Sequence, residues 1–258
     1  MITLIGSGNV ATWMAQRLQH SERFPITQVY SRKLENARVL AELSGAEAID
    51  DIKALNPDNQ LFVFALADKA YDGILPQLPF RLPAAFLTSG TVSCQCLKEH
   101  ADHYGVIYPL QTFTKTQDMR TLEVPLCLEY QEPTYPAIGT DYRELMWSLA
   151  RELSPSCYEV SEEQRAKMHV AAVFACNFSN AMYQVAYKLL ADNNLPFEML
   201  MPLLRQTVAK LETLTPAEAQ TGPAARRDEN VMQTHMESLD DPKYKEIYRL
   251  MSELIMGN

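Results

Sequence analysis

The chain has 258 residues, a formal charge of −9 at neutral pH and 47% apolar residues, enough for one large or two modest buried cores. The acidic balance argues against nucleic acid and anionic membranes as partners, since both attract basic surfaces. Five cysteines in no repeating pattern, no apolar run near the roughly 20 residues of a membrane helix, and a start without a charged-then-apolar leader give the expectation of a cytoplasmic protein.

Met1 to Ile5 reads as a short apolar strand running into Gly6-Ser7-Gly8-Asn9-Val10-Ala11, and a helical pattern from Asn9 to Leu18 begins at once. Strand, G-x-G-x-x-A and helix in that order match a dinucleotide-binding fingerprint. Gly6 lets the chain turn tightly, Gly8 lets a diphosphate approach the backbone, and Ala11 lets the helix pack on the strand. Unpaired amides at the helix start, aided by the helix dipole, bind phosphate. Gly6, Ser7, Gly8, Asn9 and Val10 are therefore the first expected cofactor contacts.

A second strand from Ile26 ends in Ser31-Arg32-Lys33. A chain that uses NAD usually places Asp or Glu here to accept from the ribose 2′-hydroxyl. A carboxylate repels a 2′-phosphate, whereas a hydroxyl and a guanidinium bind one. The sequence thus favours NADP(H), with Ser31, Arg32 and Lys33 at the 2′-phosphate. The plainer reading makes Arg32 and Lys33 a solvated start to the helix from Leu34 to Leu43.

Further strands are read at Ala46 to Asp50, Leu61 to Ala67, Ala85 to Gly90 and Val106 to Pro109, with Glu123 to Tyr130 as an edge strand that tolerates Pro125. Strands alternating with helices imply α/β architecture, a doubly wound parallel sheet of Rossmann type, here over residues 1–152. Ligands sit at the carboxyl ends of such strands. There Ala65, Leu66 and Ala67 face the cofactor, Ser89 and Gly90 offer a hydroxyl and amides to a substrate oxygen, and Gln111 offers an amide. Helix capping for Ser89 and a surface amide for Gln111 are the alternative readings. If Ser93 to His103 is helical, Cys96, His100 and His103 share a face while Cys94 points away. That departs from common zinc spacings, so no metal is expected.

After about residue 140 the pattern is helical throughout, giving an all-helical domain over residues 153–258. Asp141 to Leu153 is amphipathic. Ser161-Glu162-Glu163-Gln164 is a capping box opening a long helix to about Asn193. Its middle, Met168 to Phe178, is apolar nearly all round, the mark of a helix buried on several sides. Pro196 begins the next helix, Asp228 caps another to Leu239, and Pro242 opens the last, to Met256. Burial of the long helix against its final partners suits a homodimer through the C-terminal helices, or the centre of a monomeric bundle. His169 and Asn177 lie eight positions apart, within roughly 80° of each other at about 100° per residue, so one cleft can see both. His169 suits a general acid, since imidazole titrates near neutral pH, and Asn177 suits orientation of substrate or nicotinamide; both also fit purely structural hydrogen bonds. In the loop from Thr221 to Asp228, Thr221 is a candidate for the substrate, while Arg226 and Arg227 read more simply as solvated.

The stretches Gly6-Ser-Gly-Asn-Val-Ala11, Tyr30-Ser-Arg32, Ser89-Gly90, Tyr108-Pro-Leu-Gln-Thr-Phe113, His169 to Phe178 and Thr221-Gly-Pro-Ala224 together resemble a family of uncharacterised NADP-dependent oxidoreductases. Its members join a Rossmann-like domain to a helical C-terminal domain of unknown function, and the resemblance covers nearly the whole chain. The layout is also similar to pyrroline-5-carboxylate reductase and, more distantly, to β-hydroxyacid dehydrogenases, dimer-forming enzymes with a 6-phosphogluconate dehydrogenase C-terminal-like second domain. The resemblance implies NADPH in an interdomain cleft and reduction of a small C=O or C=N substrate, a keto or imino acid. β-Hydroxyacid dehydrogenases carry Lys-x-x-x-Asn on the equivalent helix. Here Val173 precedes Asn177 by four and Lys167 lies off the face, so the resemblance supplies no general acid. A non-catalytic NADP(H)-binding sensor or scaffold is the competing class of function.

Overall fold

The computed structural model describes residues 1–132 and 140–257. The chain divides into two compact units, Met1–Cys176 and Asn177–Asn258. The first includes a short strand at Cys157–Glu159, which joins the sheet, and the following helix, which buries Arg165.

Among the described residues the first unit holds eight strands: β1 (Ile2–Ile5), β2 (Ile26–Tyr30), β3 (Glu47–Ile49), β4 (Leu61–Phe64), β5 (Leu82–Leu87), β6 (Ala101–Pro109), β7 (Leu126–Gln131) and β8 (Cys157–Glu159). They form one sheet in the order β3-β2-β1-β4-β5-β6-β7-β8. Strands β1 to β6 pair in parallel, β7 is antiparallel to β6, and β8 is parallel to β7. The chain winds outward from β1 to β3, then returns to place β4 on the other side of β1. That reversal is where doubly wound sheets bind ligands. Every residue of β1 and β4 is buried, as expected of parallel strands covered on both faces.

Helices α1 (Asn9–Leu18), α2 (Leu34–Ser44), α3 (Tyr71–Ile74), α4 (Tyr142–Leu153) and α5 (Glu162–Ala172) belong to the same unit. One core cluster joins Trp13, Met14 and Leu18 of α1 and Leu149 of α4 to Leu4, Val63 and Phe86 of the sheet. A second gathers Ile5, Phe62, Phe64, Tyr71, Leu87 and Val106. Each such large side chain stabilises the fold by on the order of 1.5–3 kcal/mol through burial.

Two expectations fail here. The edge strand is not an edge, because β8 flanks β7; three residues with a half-exposed pattern carry no periodic signal. The helix read at 93–103 is a 3-10 turn, Cys94–Leu97, after which β6 begins at Ala101. The His100 amide closes that turn on the Leu97 carbonyl, and the His100 carbonyl accepts from Leu82 at the start of β5.

The second unit is helical: α6 (Ser179–Ala191), α7 (Met201–Ala209), α8 (Pro216–Ala219), α9 (Glu229–Ser238) and α10 (Pro242–Met256). A π-helical turn, Val173–Phe178, spans the division between the units. The Asp228 and Asp241 side chains cap α9 and α10. Within the single chain Met168 to Phe178 is not buried on several sides: Val170, Phe174 and Phe178 are half or more exposed. Among the described residues of this unit only Ala224 and Leu239 are buried, while Leu203 and Leu254 are 62% and 58% exposed. The apolar stripes are present, but no element of the same unit covers them.

Candidate functional site

The turn after β1 is built on Gly6, whose φ of +126° is open to glycine alone among common residues. A Cβ there would lie 2.2 Å from the Ala65 carbonyl oxygen, so the glycine also lets β1 and the end of β4 approach. Gly8 precedes α1 with no side-chain cap, and no acidic residue stands in the first turn. A Cβ at Gly8 would meet nothing within 4 Å. The helix therefore opens with free amides and a positive dipole end facing space, which favours an anion.

Gly6, Ser7 and Gly8 with Ala65, Leu66 and Ala67 wall a cleft of about 550 Å³ that runs on to Ser31, Arg32 and Lys33. The Ser31 and Ser7 hydroxyl oxygens lie 2.8 Å apart. No Asp or Glu lines this cleft. A second cavity of about 310 Å³ shares Gly8 and Ala65–Ala67 with the first and adds Asn9, Val10, Asp68, Ser89, Gly90 and His169. Two cavities that share one glycine wall, one with a basic end and the other with an imidazole, fit the two halves of a phosphorylated dinucleotide.

His169 reaches the second cavity because Gly90 has no side chain. A Cβ on Gly90 would fall 2.6 Å from His169 Nδ1 and 2.9 Å from Tyr108 Cζ. Tyr108, near the end of β6, places its hydroxyl 3.0 Å from His169 Nδ1. Burial raises the Tyr108 pKa, so the phenol keeps its proton. The pair bonds in either of two ways: the phenol donates to Nδ1, which leaves the hydrogen of a neutral imidazole on Nε2, or Nδ1–H donates to the phenol oxygen.

The other expected residues are placed as follows. Ser89 lines the second cavity, but its hydroxyl donates to Asp68 (2.8 Å) and accepts from the Thr91 and Val92 amides (3.1 and 3.0 Å). The Asn9 amide donates to the Phe113 carbonyl at 2.8 Å, which leaves its backbone N–H to an anion. Gln111 lines neither cavity and is exposed, while Asn177 and Thr221 belong to the second unit. Gln111 Nε2 donates to the Glu123 carbonyl at 3.0 Å and its Oε1 accepts from Thr112 at 2.8 Å. Asn177 sits on the π-helical turn, through which the regular spacing of about 100° per residue behind its expected alignment with His169 does not run. Arg227 donates to the Met256 carbonyl at 3.0 Å. Among the described residues no group of three or more His, Cys, Asp or Glu is arranged for a metal ion.

Sequence reasoning missed Arg165 and Glu129. Arg165, one turn before His169 on α5, is sealed from water and donates through Nε and Nη2 to Glu129 Oε2 of β7 (3.2 and 3.1 Å). Its Nη1 donates to the Ser89 carbonyl at 3.1 Å, tying α5 to the loop that carries Gly90. The Cys94 thiol donates to Glu129 Oε1, and burial with that hydrogen bond pushes its pKa up. The signal in the sequence was a lone Glu within the apolar run Leu126-Cys127-Leu128-Glu129 and an Arg four before the His.

Residues 137–255 match a family model described as a domain of unknown function, DUF2520. No curated protein matches the chain. Among solved structures, BF3122 of Bacteroides fragilis, provisionally named an NADP oxidoreductase, is similar at 38% identity and a TM-score of 0.88, covering 100% of this chain and 98% of its own. Two more distant structures share the fold. The 1-pyrroline-5-carboxylate reductase of Streptococcus pyogenes is 16% identical at a TM-score of 0.65, covering 100% of this chain and 98% of its own. The reductive aminase of Aspergillus terreus, in complex with NADPH and ethyl-5-oxohexanoate, is 15% identical at 0.63, covering 98% and 87%. With more than a third of its residues identical over the full length, the chain belongs to the same family as BF3122.

Proposed function

We propose that this protein is an NADP(H)-dependent oxidoreductase that reduces a small C=O or C=N compound, a keto or imino acid. The observation that carries the reading is the pair of cavities meeting at Gly8, one ending at Ser31, Arg32 and Lys33 without a carboxylate, the other at His169. Arg32 and Ser31 hold the 2′-phosphate, and the amides of Gly8, Asn9 and Val10 hold the diphosphate. When bound, NADPH supplies a hydride from its nicotinamide ring. His169 holds a proton at Nε2 for the substrate oxygen or nitrogen, and Tyr108 holds the imidazole in that tautomer. Gly90 leaves room for the imidazole beside the strand ends, and Ser89 with its neighbouring amides borders the substrate. The name of BF3122 points the same way.

Five free cysteines fit a reducing compartment such as the cytoplasm. The exposed Leu203 and Val208 of α7 and Leu250, Met251 and Leu254 of α10 support a homodimer through the C-terminal helices. Sedimentation tests that part; a monomer at all concentrations refutes it.

Calorimetric titration with NADPH and NADH tests the cofactor. Arg32→Glu weakens NADPH roughly 100-fold, since it removes a charge-assisted pair and adds repulsion, and leaves NADH nearly unchanged. Equal loss for both refutes the choice of NADP. Oxidation of NADPH with a panel of small keto and imino acids tests turnover. Tight binding without turnover of any of them, unchanged in His169→Ala, supports a sensor instead.

A further inference from the structure

We infer that Lys115 is a cofactor-binding residue whose ammonium serves the diphosphate of the dinucleotide at the start of α1. This rests on the dinucleotide reading above and adds to it a residue that lies far away in sequence and outside the fingerprint.

The segment after β6 lies along α1. The Asn9 side chain donates to the Phe113 carbonyl at 2.8 Å, and the Trp13 and Phe113 rings are 5.2 Å apart. The Met119 amide donates to Gln16 Oε1 at 2.8 Å, and Arg17 donates to the Arg120 carbonyl. Positions 9, 13, 16 and 17 fall on one stripe of a helix with 3.6 residues per turn, so one face of α1 holds the segment from end to end. Where it passes the first turn of α1, the Lys115 ammonium donates to the Ser7 carbonyl oxygen, within the fingerprint itself.

An ammonium has three N–H donors, and this hydrogen bond uses one. No ion pair among the described residues involves Lys115, whereas Arg120 on the same segment is paired with Asp118 at 2.7 Å. The amides at the start of α1 supply partial charges only. The cleft they open is lined by Arg32 and Lys33, but those stand at its far end, after β2. Lys115 lines neither cavity, but its hydrogen bond to the Ser7 carbonyl sets a full, compact positive charge beside the turn where the diphosphate would lie, in a chain whose net charge is −9.

NADPH and NADH share the diphosphate and differ only in the 2′-phosphate, so the two nucleotides separate Lys115 from Arg32. Titration of the whole chain and its Lys115→Ala and Lys115→Arg variants with both nucleotides tests the assignment. The expected result is a loss of roughly tenfold in Lys115→Ala, the same for NADPH and NADH, the range of one charge-assisted hydrogen bond. Lys115→Arg restores most of the affinity. The side chain is exposed, so melting temperatures stay those of the unaltered protein. Unchanged affinity for both nucleotides, or a loss confined to NADPH, overturns the inference while leaving the cofactor reading in place. If the unaltered protein binds neither nucleotide, the cofactor reading falls and the inference falls with it.

Discussion

Arg165 and Glu129 form an ion pair closed to water, Nη2 to Oε2 at 3.1 Å, with side-chain exposures of 0% and 6%. Taking both charges out of water costs about as much as their attraction returns, so the pair adds little net stability while intact. Removing one partner is another matter. Glu129→Gln or Arg165→Met leaves an uncompensated buried charge and costs about 3–5 kcal/mol. Urea unfolding of the two single variants and of a Glu129→Leu, Arg165→Met double variant measures this. The double variant loses clearly less than the sum of the singles, with a residue of about 1–3 kcal/mol because the Ser89 carbonyl also loses its donor. Strict additivity shows that the pair does not couple the helix to the sheet.

Gly6→Ala tests the fingerprint turn. An alanine at φ +126° is strained whatever the space, and its Cβ would stand 2.2 Å from the backbone oxygen of Ala65. Backbone cannot move aside as a side-chain end can, so the end of β4 must shift. A loss of about 1–3 kcal/mol in stability is expected from the backbone strain alone. Nucleotide affinity falls with it, because Ala65 to Ala67 wall both cavities. A variant that melts and binds as the unaltered protein does contradicts the account of this turn. Gly8→Ala is the control: its Cβ meets no protein atom within 4 Å, so folding is spared and only binding suffers.

The contrast between the two glycines shows what the sequence carries. Strand, G-x-G-x-x-A and helix are local, and so β1, the turn and α1 were legible, as were the capping box at Ser161, the cap at Asp228 and the opening of α10 at Pro242, but not its cap at Asp241. Ser31, Arg32 and Lys33 were legible as the far end of the cleft because their distance from the fingerprint is fixed by the β1-α1-β2 unit. Tyr108 was not assigned a role, since its partner His169 lies 61 residues on and reaches it only through the space left by Gly90. Glu129 stands alone in an apolar run and Arg165 four before His169, but nothing local pairs them; only the fold brings the two buried side chains together. Asn177 was placed by a regular helical angle, and the π-helical turn Val173–Phe178 has no composition that announces it.

Gly90→Ala tests the imidazole site without a substrate. The added methyl would lie 2.6 Å from His169 Nδ1 and 2.9 Å from Tyr108 Cζ, so the two rings must part. Imidazole nitrogen resonances of labelled protein report the outcome. In the unaltered protein His169 is the Nε2–H tautomer; in Gly90→Ala and in Tyr108→Phe that preference weakens. NADPH affinity falls less than fivefold in Tyr108→Phe, since the phenol lines neither cavity. An Nδ1–H tautomer in the unaltered protein reverses the proton placement and removes His169 as donor at Nε2.

His103 gives the fold a pH dependence. Its ring is buried on β6, stacks on Tyr142 at 4.3 Å between centroids, and has Nδ1 2.8 Å from the Tyr130 hydroxyl. Burial lowers its pKa below the ordinary 6.5, against the opposing pull of Asp102, Asp141 and Glu132. The Tyr130 phenol, pushed up to about 12, keeps its proton throughout. Below 6.5 the unfolded chain binds a proton that the folded chain refuses, so unfolding takes up protons and stability falls as pH falls. The loss begins near the unfolded value and stops once the pH passes below the folded one. Its slope is at most about 1.4 kcal/mol per pH unit for one group. His103→Phe keeps the stack on Tyr142 and removes the titration. Melting curves from about pH 7.5 to about 5.5 then flatten relative to the unaltered protein, in the span where only histidines ordinarily titrate. Parallel curves for the two proteins show that His103 is protonated equally in the folded and unfolded chains.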